Sequence, residues 1–145
     1  MKPLDLTKRP PRSSREKLAG VYFLPRTIDK MRALLPGGNI GSYKVDGMST
    51  RVLSIIGISA EDLQAQVARA ESEDEIAAWV LQHSDASKRD EANRVASQRS
   101  INDVAPENLD RLKQNYPGYE KVASGLIFDI LDADDAETFA RTNKL

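Results

Sequence analysis

The stretch LPRTIDKMRALLPGGNIGSY, residues 24–43, predicts a charged helix that is followed at once by a glycine-rich loop. Pro25 suits the first turn of a helix, where its missing N–H would have no partner anyway. Apolar residues recur at helical spacing from Ile28 to Leu35 and predict one buried face. The Pro-Gly-Gly sequence that follows is a strong stop signal. The pattern therefore predicts a helix over residues 26–35.

The charged side chains of this helix make it the best candidate site in the chain. Arg26 and Lys30 are four residues apart and lie on one face, where like charges repel by a few tenths of a kcal/mol. Asp29 is three residues from Arg26 and from Arg32, so it can bridge the two. Such a face is either a solvated set of ion pairs or a preorganised anion pocket. In the second interpretation the binding residues are Arg26, Asp29, Lys30, Arg32, Asn39 and Tyr43.

The loop after this helix contains three glycines but matches no nucleotide-binding motif. Its spacing is neither GxxxxGK[ST] nor GxGxxG, and it follows a helix rather than a strand. Phosphate cradles use the amides at the start of a helix, whereas this loop lies at the negative end. A left-handed helix cap at Gly37 or Gly38 explains the glycines. We expect no cofactor.

Composition bounds the class of protein. A chain of 145 residues suits one domain, and 40% apolar with 30% charged residues is typical of a globular protein. The absence of cysteine excludes thiol nucleophiles, thiolate metal sites and disulfides. We find neither a secretory leader nor an apolar run of membrane-spanning length, so we expect no membrane association and a cytoplasmic location.

The net charge of −1 conceals an asymmetry along the chain. Residues 1–32 carry nine Lys or Arg and three Asp or Glu, which gives +6; residues 33–145 carry twelve and nineteen, which gives −7. Such a split favours an anionic partner, either a small molecule or an acidic protein surface. The alternative is that the basic segment lies on the protein's own acidic surface. The acidic pI of about 5.9 disfavours nucleic acid as the partner.

Prolines and a capping signature define the N-terminal region. Residues 1–12 contain three prolines and predict an extended basic arm. Ser13 followed by Glu16 matches a capping box, which predicts a short helix towards Tyr22. We expect residues 13–145 to form a single helical domain.

The remaining helices are predicted from capping residues, prolines and apolar spacing. Ser49, Ser59 and Ser72 can each cap a helix. The helices are predicted at 50–57, from Ser59, from Ser72, at 85–99 and from Pro106.

The segment 122–131 fits either a helix or a buried strand, because Gly125 weakens the helical pattern. We choose helix, since five apolar positions match its period. The sequence thus predicts an all-α protein, a compact bundle of roughly seven to nine short helices.

Other residues that could carry chemistry have structural explanations. His83, the only histidine, lies four residues after Trp79 near a helix C-terminus, where the helix dipole favours a cation. The acidic run at 132–135 lacks the glycine and final glutamate of a calcium loop, and we expect no metal. Trp79 and the apolar residues 52–56 fit either the core or a homodimer interface; we expect core burial.

Three segments together resemble a known family: KRPPRS, GVYFLPRTIDKMRALLPGGNIGSY and DEIAAWV. The chain is similar to a bacterial family of uncharacterised proteins, domain of unknown function 5069. The resemblance covers most of residues 1–85 well and the C-terminal part loosely, and LPRTIDKMRA is its most specific element. It implies a bacterial, cytoplasmic, largely helical protein, and it implies no activity or catalytic residue.

Two main functional hypotheses follow. The first is a small helical interaction module whose basic N-terminal third binds an anionic partner. The second is an enzyme of unknown class in which Asp29 is a general base, Tyr43 or His83 is an acid, and Arg26 and Lys30 hold an anionic substrate. Nucleic-acid binding through the basic arm ranks third.

Overall fold

Helix α1, Leu24–Ala33, lies at the centre of the fold. The computed structural model describes residues 1–143, with side chains as far as residue 139. Nine of the ten residues of α1 are buried, including Arg26, Asp29 and Lys30. The predicted helix is confirmed but begins two residues earlier, and it is enclosed on all sides instead of having one solvated face. Its charged side chains must therefore find partners inside the protein.

Six further helices surround α1 within residues 1–143. Helix α2 packs extensively on α5, and α1 packs on α3. The helices are α2 (Met48–Ile56), α3 (Ala60–Arg69), α4 (Glu73–Gln82), α5 (Ala86–Gln98), α6 (Pro106–Asn115) and α7 (Ile127–Asn143), with 3₁₀ helices at Ile101–Asp103 and Tyr119–Lys121. The predicted all-α class is confirmed. Of these helices, none is both long and apolar enough to cross a membrane.

The predicted helix from Ser13 to Tyr22 is wrong, because this segment forms a β-hairpin. Strands β1 (Lys17–Leu18) and β2 (Val21–Tyr22) pair antiparallel. Ala19 and Gly20 connect them with φ of 54° and 72°, as in a type I′ turn, whose twist suits a hairpin. The Ser13 hydroxyl donates to Asp132 of α7 instead of capping a helix.

A side chain from α5 fixes this hairpin. Asn93 accepts a hydrogen bond from the Tyr22 N–H at 2.9 Å and donates to the Gly20 carbonyl at 2.6 Å. Because Asn93 lies 71 residues after Tyr22, the hairpin depends on a long-range contact. The small buried residues Ala92 and Ala96 let α5 come close to its neighbours.

The N-terminal segment lies along the loop that follows α1. The Leu6 N–H donates to the Asn39 carbonyl at 2.8 Å, and the Asn39 N–H donates to the Leu4 carbonyl at 2.9 Å. Leu6 is buried. The segment thus holds the glycine-rich loop against the body of the protein.

Most predicted helix starts are confirmed, but the predicted cap at Ser49 is wrong, because α2 begins at Met48 after Gly47 and Ser49 is buried within the helix. Ser59 and Ser72 accept hydrogen bonds from the backbone N–H of Asp62 and Glu75, as capping residues do. Helix α7 begins after Gly125, which adopts a left-handed φ of 67°. Gly125 therefore lies before the helix and does not interrupt it. The helix predicted for this segment is confirmed from Ile127 onwards.

Candidate anion-binding site

The buried charges of α1 belong to two separate networks. Asp29 faces the N-terminal segment, where it accepts the Arg12 backbone N–H at 2.8 Å and the Arg12 guanidinium at 3.0 Å. Arg12 also pairs with Glu73 of α4. The predicted bridge from Asp29 to Arg26 and Arg32 is therefore wrong. The Asp29 carboxylate is instead paired with Arg12.

Arg26 belongs to the second network, which joins α1 to α7. Its guanidinium donates to both oxygens of Asp135, at 2.6 and 3.1 Å, and the Tyr43 hydroxyl donates to the same carboxylate at 3.0 Å. Arg26 is 3% exposed and Asp135 6%. Burial opposes the charge of Arg26, but the hydrogen bond and charge of Asp135 raise its pKa overall. Burial, reinforced by Asp135, also raises the pKa of Tyr43, so this hydroxyl remains a donor near neutral pH.

Lys30 differs from its charged neighbours on α1. Its side chain is 7% exposed, and its ammonium group donates one hydrogen bond, to the Lys44 carbonyl at 2.8 Å. No salt bridge among the described side chains includes it. Burial, with a smaller contribution from the charge of Arg26, lowers the pKa of Lys30 to about 8. Because perturbed pKa values cluster at functional sites, Lys30 is a candidate site residue.

Arg26 and Lys30 form one wall of a cavity of about 410 Å³, which we call the anion cavity. Three further arginines line it, from α2, from the residue after α5 and from α6. Asp46 is the one carboxylate among the described residues of its lining. The rest of the wall is largely apolar. The cationic residues are Arg26, Lys30, Arg51, Arg99 and Arg111, and the apolar ones include Phe23, Val104, Leu112, Ile127, Ile130 and Leu131.

A second cavity, of about 400 Å³, has several lining residues in common with the anion cavity. The shared residues are Arg26, Lys30, Asp46, Asn115 and Tyr116, and Tyr43 and Lys44 also line the second cavity. Its lining is more polar, with few aliphatic side chains. Lys30 therefore lies between two spaces that a small molecule could enter.

The two cavities bring together half of the predicted binding residues. Arg26 and Lys30 line both, and Tyr43 lines the second. Asp29, Arg32 and Asn39 line neither: the Arg32 Nε donates to the Lys2 carbonyl at 2.8 Å, and the Asn39 side chain accepts the Gly41 N–H at 3.0 Å. The predicted site remains a prediction, now centred on three of its six members.

His83 lies outside both cavities. It ends α4, where its ring stacks on Trp79 with 4.6 Å between centroids, and its Nδ1 lies 2.8 Å from the Trp79 carbonyl oxygen. It does not face Asp29 or Tyr43. We also find no cluster of three or more His, Asp or Glu that could hold a metal ion in the part of the chain that the structure describes.

Four residues at or beside the site could not be predicted from their neighbours in the sequence. Arg51, Arg99, Arg111 and Asp135 lie on or beside four different elements and meet only through packing. Each resembles any other surface charge in the sequence. The acidic run that contains Asp135 looked like a helix-capping segment rather than the partner of a buried arginine.

Most of the chain matches a family model. A model described as a domain of unknown function, DUF5069, matches residues 8–137. The chain belongs to the DUF5069 family. Every residue that lines the anion cavity lies within the matched segment. A search of curated proteins found no match. The DUF5069 description assigns no role to any residue, so the function must be argued from the site itself.

Proposed function

We propose that this DUF5069 protein binds an organic anion in the anion cavity. In this proposal Arg51, Arg99 and Arg111 hold a carboxylate or phosphate group, and the apolar wall accepts the rest of the ligand. The observation that supports it most is the lining of one cavity by three arginines that take part in none of the salt bridges among the described side chains.

The balance of charge in the cavity favours an anionic ligand. Five cationic side chains and one carboxylate line it. Asp135 neutralises Arg26, which makes this arginine part of the wall rather than a ligand-binding group. Like charges that line one recess repel each other, although solvent screens this repulsion because Arg51 and Arg111 are exposed and Arg99 is only partly buried. A bound anion would relieve it, and a planar guanidinium can hold a carboxylate or phosphate with two parallel hydrogen bonds.

The shape and the apolar wall of the cavity favour a ligand that is more than a bare inorganic ion. A volume of about 410 Å³ lies in the usual range for small-molecule sites. Side chains such as Phe23, Leu112 and Ile130 offer apolar contact, which an inorganic ion cannot use. The proposed ligand class is therefore a small organic molecule with one anionic group and an apolar part.

This proposal modifies both starting hypotheses. The N-terminal third contributes Arg26 and Lys30, while the proposed ligand-binding arginines come from α2, from the residue after α5 and from α6. The geometry gives no support to Asp29 as a general base, because its carboxylate is 1% exposed, bound to Arg12 and outside both cavities. A bacterial origin, a cytoplasmic location and homodimer formation stay predictions.

Binding of two simple probes tests the proposal. We would measure dissociation constants of 3-phenylpropionate and phenyl phosphate by isothermal calorimetry, for the wild type and for the Arg99→Gln and Arg111→Gln variants. A charge-assisted hydrogen bond contributes about 1.5–3 kcal/mol, so each substitution should weaken binding by about tenfold or more. Added salt should weaken it as well.

Arg94→Gln is the matched control, since Arg94 is an exposed residue of α5 that lines neither cavity. It should leave the affinity unchanged. Equal weakening by Arg94→Gln and by the cavity variants would contradict the proposal. So would the absence of binding by both probes at millimolar concentration.

A further inference from the structure

We infer that Lys30 is a nucleophilic amine that forms an imine with the carbonyl group of an anionic ligand. The inference rests on the proposed anion cavity and specifies its substrate class: aldehydes or ketones that carry a carboxylate or phosphate. The contrast between Lys30 and Arg26, one helical turn apart, carries the argument.

Arg26 has the environment of a structural charge, whereas Lys30 does not. The Arg26 guanidinium is matched by both oxygens of Asp135. The Lys30 ammonium has three protons to donate, yet the described residues supply one acceptor, the neutral Lys44 carbonyl. Burying a cation with so little compensation costs free energy. Lys30 is also a lining residue of both cavities.

The surroundings of Lys30 favour the neutral, nucleophilic form of the amine. Desolvation and the adjacent cationic Arg26 lower its pKa, while Asp46 and Asp135 oppose this in part. With a pKa of about 8, roughly one molecule in ten carries the free amine at pH 7. Desolvation and a neighbouring cation are the two established ways to activate a lysine for imine formation.

The proposed reaction conserves atoms and electrons without an added reagent. The neutral Lys30 nitrogen attacks the carbonyl carbon, and a C–N bond forms as the C=O π electrons move to oxygen. The nitrogen then passes one proton to the alkoxide oxygen, and the proton that the Lys30 ammonium had released converts the resulting hydroxyl to water. The C–O bond breaks as this water leaves, and the nitrogen lone pair forms the C=N bond. Overall, an ammonium group and a carbonyl compound give a protonated imine and one water molecule. Asp46, which lines both cavities with Lys30, can accept and return the transferred proton.

Reductive trapping tests the inference on the full-length protein. The protein is incubated at pH 7 with 4-carboxybenzaldehyde or phenylpyruvate and sodium cyanoborohydride, which delivers hydride to the imine carbon and fixes a secondary amine. Peptide mass spectrometry then locates the adducts. We expect Lys30 to be labelled at least about tenfold faster than Lys44, an exposed neighbour with the same chemistry. Addition of 3-phenylpropionate should slow labelling of Lys30 alone.

Two controls separate the causes of a negative result. Lys30→Arg, which keeps the positive charge but cannot form an imine, should abolish the adduct at residue 30. Lys88→Arg, at an exposed position of α5 outside both cavities, should leave the labelling of Lys30 unchanged. If Lys30→Arg fails to fold, the ratio of Lys30 to Lys44 labelling in the wild type still decides. Benzaldehyde, which lacks the carboxylate, should label Lys30 more slowly than 4-carboxybenzaldehyde does, whereas the two aldehydes should label Lys44 at similar rates.

The outcomes distinguish this inference from the proposed function. If 3-phenylpropionate binds but Lys30 is labelled no faster than Lys44 by either carbonyl probe, the imine inference is overturned and the anion cavity stands. If 3-phenylpropionate and phenyl phosphate do not bind at all, the anion cavity fails, and the inference built on it fails with it.

Discussion

Replacement of Lys30 by methionine should make the protein more stable at pH 7. The pKa of Lys30 falls from 10.5 to about 8 on folding. This pKa difference lowers the unfolding free energy of the wild type by about 3 kcal/mol at any pH at which Lys30 is protonated in both the folded and the unfolded state. Methionine has a similar shape and no charge to desolvate. Loss of the hydrogen bond to the Lys44 carbonyl offsets about 1 kcal/mol, so the expected net gain is about 2 kcal/mol.

The pH dependence of this gain follows from the sign of the pKa shift. Between pH 8 and 10.5 the folded wild type has released the Lys30 proton while the unfolded chain still binds it. The unfolding free energy of the wild type therefore rises with pH across this window. The advantage of Lys30→Met should be full at pH 7 and disappear by about pH 10. Groups common to both proteins, such as Arg26, Asp46 and Asp135, cancel in the difference to first order.

Urea denaturation of the wild type and of Lys30→Met at pH 7, 8, 9 and 10 measures this difference directly. In thermal melts at pH 7 the variant should unfold about 6 °C higher. Lys44→Met, at an exposed neighbouring position, should show neither effect. The reasoning is refuted if Lys30→Met destabilises the protein at pH 7, or if the difference between variant and wild type stays constant from pH 7 to 10.

Two further predictions concern the fold. Arg26→Met should destabilise the protein by about 3–5 kcal/mol in urea denaturation, because it leaves the buried Asp135 carboxylate without its cation; Arg15→Met, which breaks the exposed pair with Asp129, should cost less than about 1 kcal/mol. Equal losses of stability in the two variants would contradict the burial of the Arg26–Asp135 pair. Ala19→Gly should stabilise the protein by up to about 1 kcal/mol, since Ala19 adopts a φ of 54° that a side chain disfavours. A loss of stability in the same assay would show that this turn is not strained.

Local signals in the sequence predicted most of the helices. Ser59 and Ser72 each satisfy a backbone N–H three residues later, and this short-range interaction is visible in any capping pattern. The hairpin near Ala19 was missed for the opposite reason. Its strands are two residues long, and a side chain of α5, Asn93, binds both Tyr22 and the turn. Neighbouring residues in the sequence cannot indicate this contact, because Asn93 lies 71 residues after Tyr22.

Part of the charge asymmetry along the sequence is compensated by salt bridges within the protein. Arg12, Arg15 and Arg26 of the basic segment pair with Glu73, Asp129 and Asp135 of the acidic remainder. The sequence predicted this alternative but not the individual pairs, because each spans more than 60 residues.

The candidate site was predicted only in part. Arg26 and Lys30 share a face of α1, as their spacing required, and both reach the cavities. Asp29 is also on α1, but helical spacing does not tell which neighbouring element will supply a partner, and Arg12 does so. The arginines from other helices could be assigned to the site only once their packing was known.

An NMR titration of the arginine side chains tests the central claim most directly. The Nε–Hε signals of Arg51, Arg99 and Arg111 are followed as 3-phenylpropionate is added to the ¹⁵N-labelled protein. Binding in the anion cavity predicts saturable shifts of these signals with one common dissociation constant, while the signal of Arg94 stays in place. Shifts that do not saturate, or that affect Arg94 as strongly as the cavity arginines, would contradict the existence of an anion site.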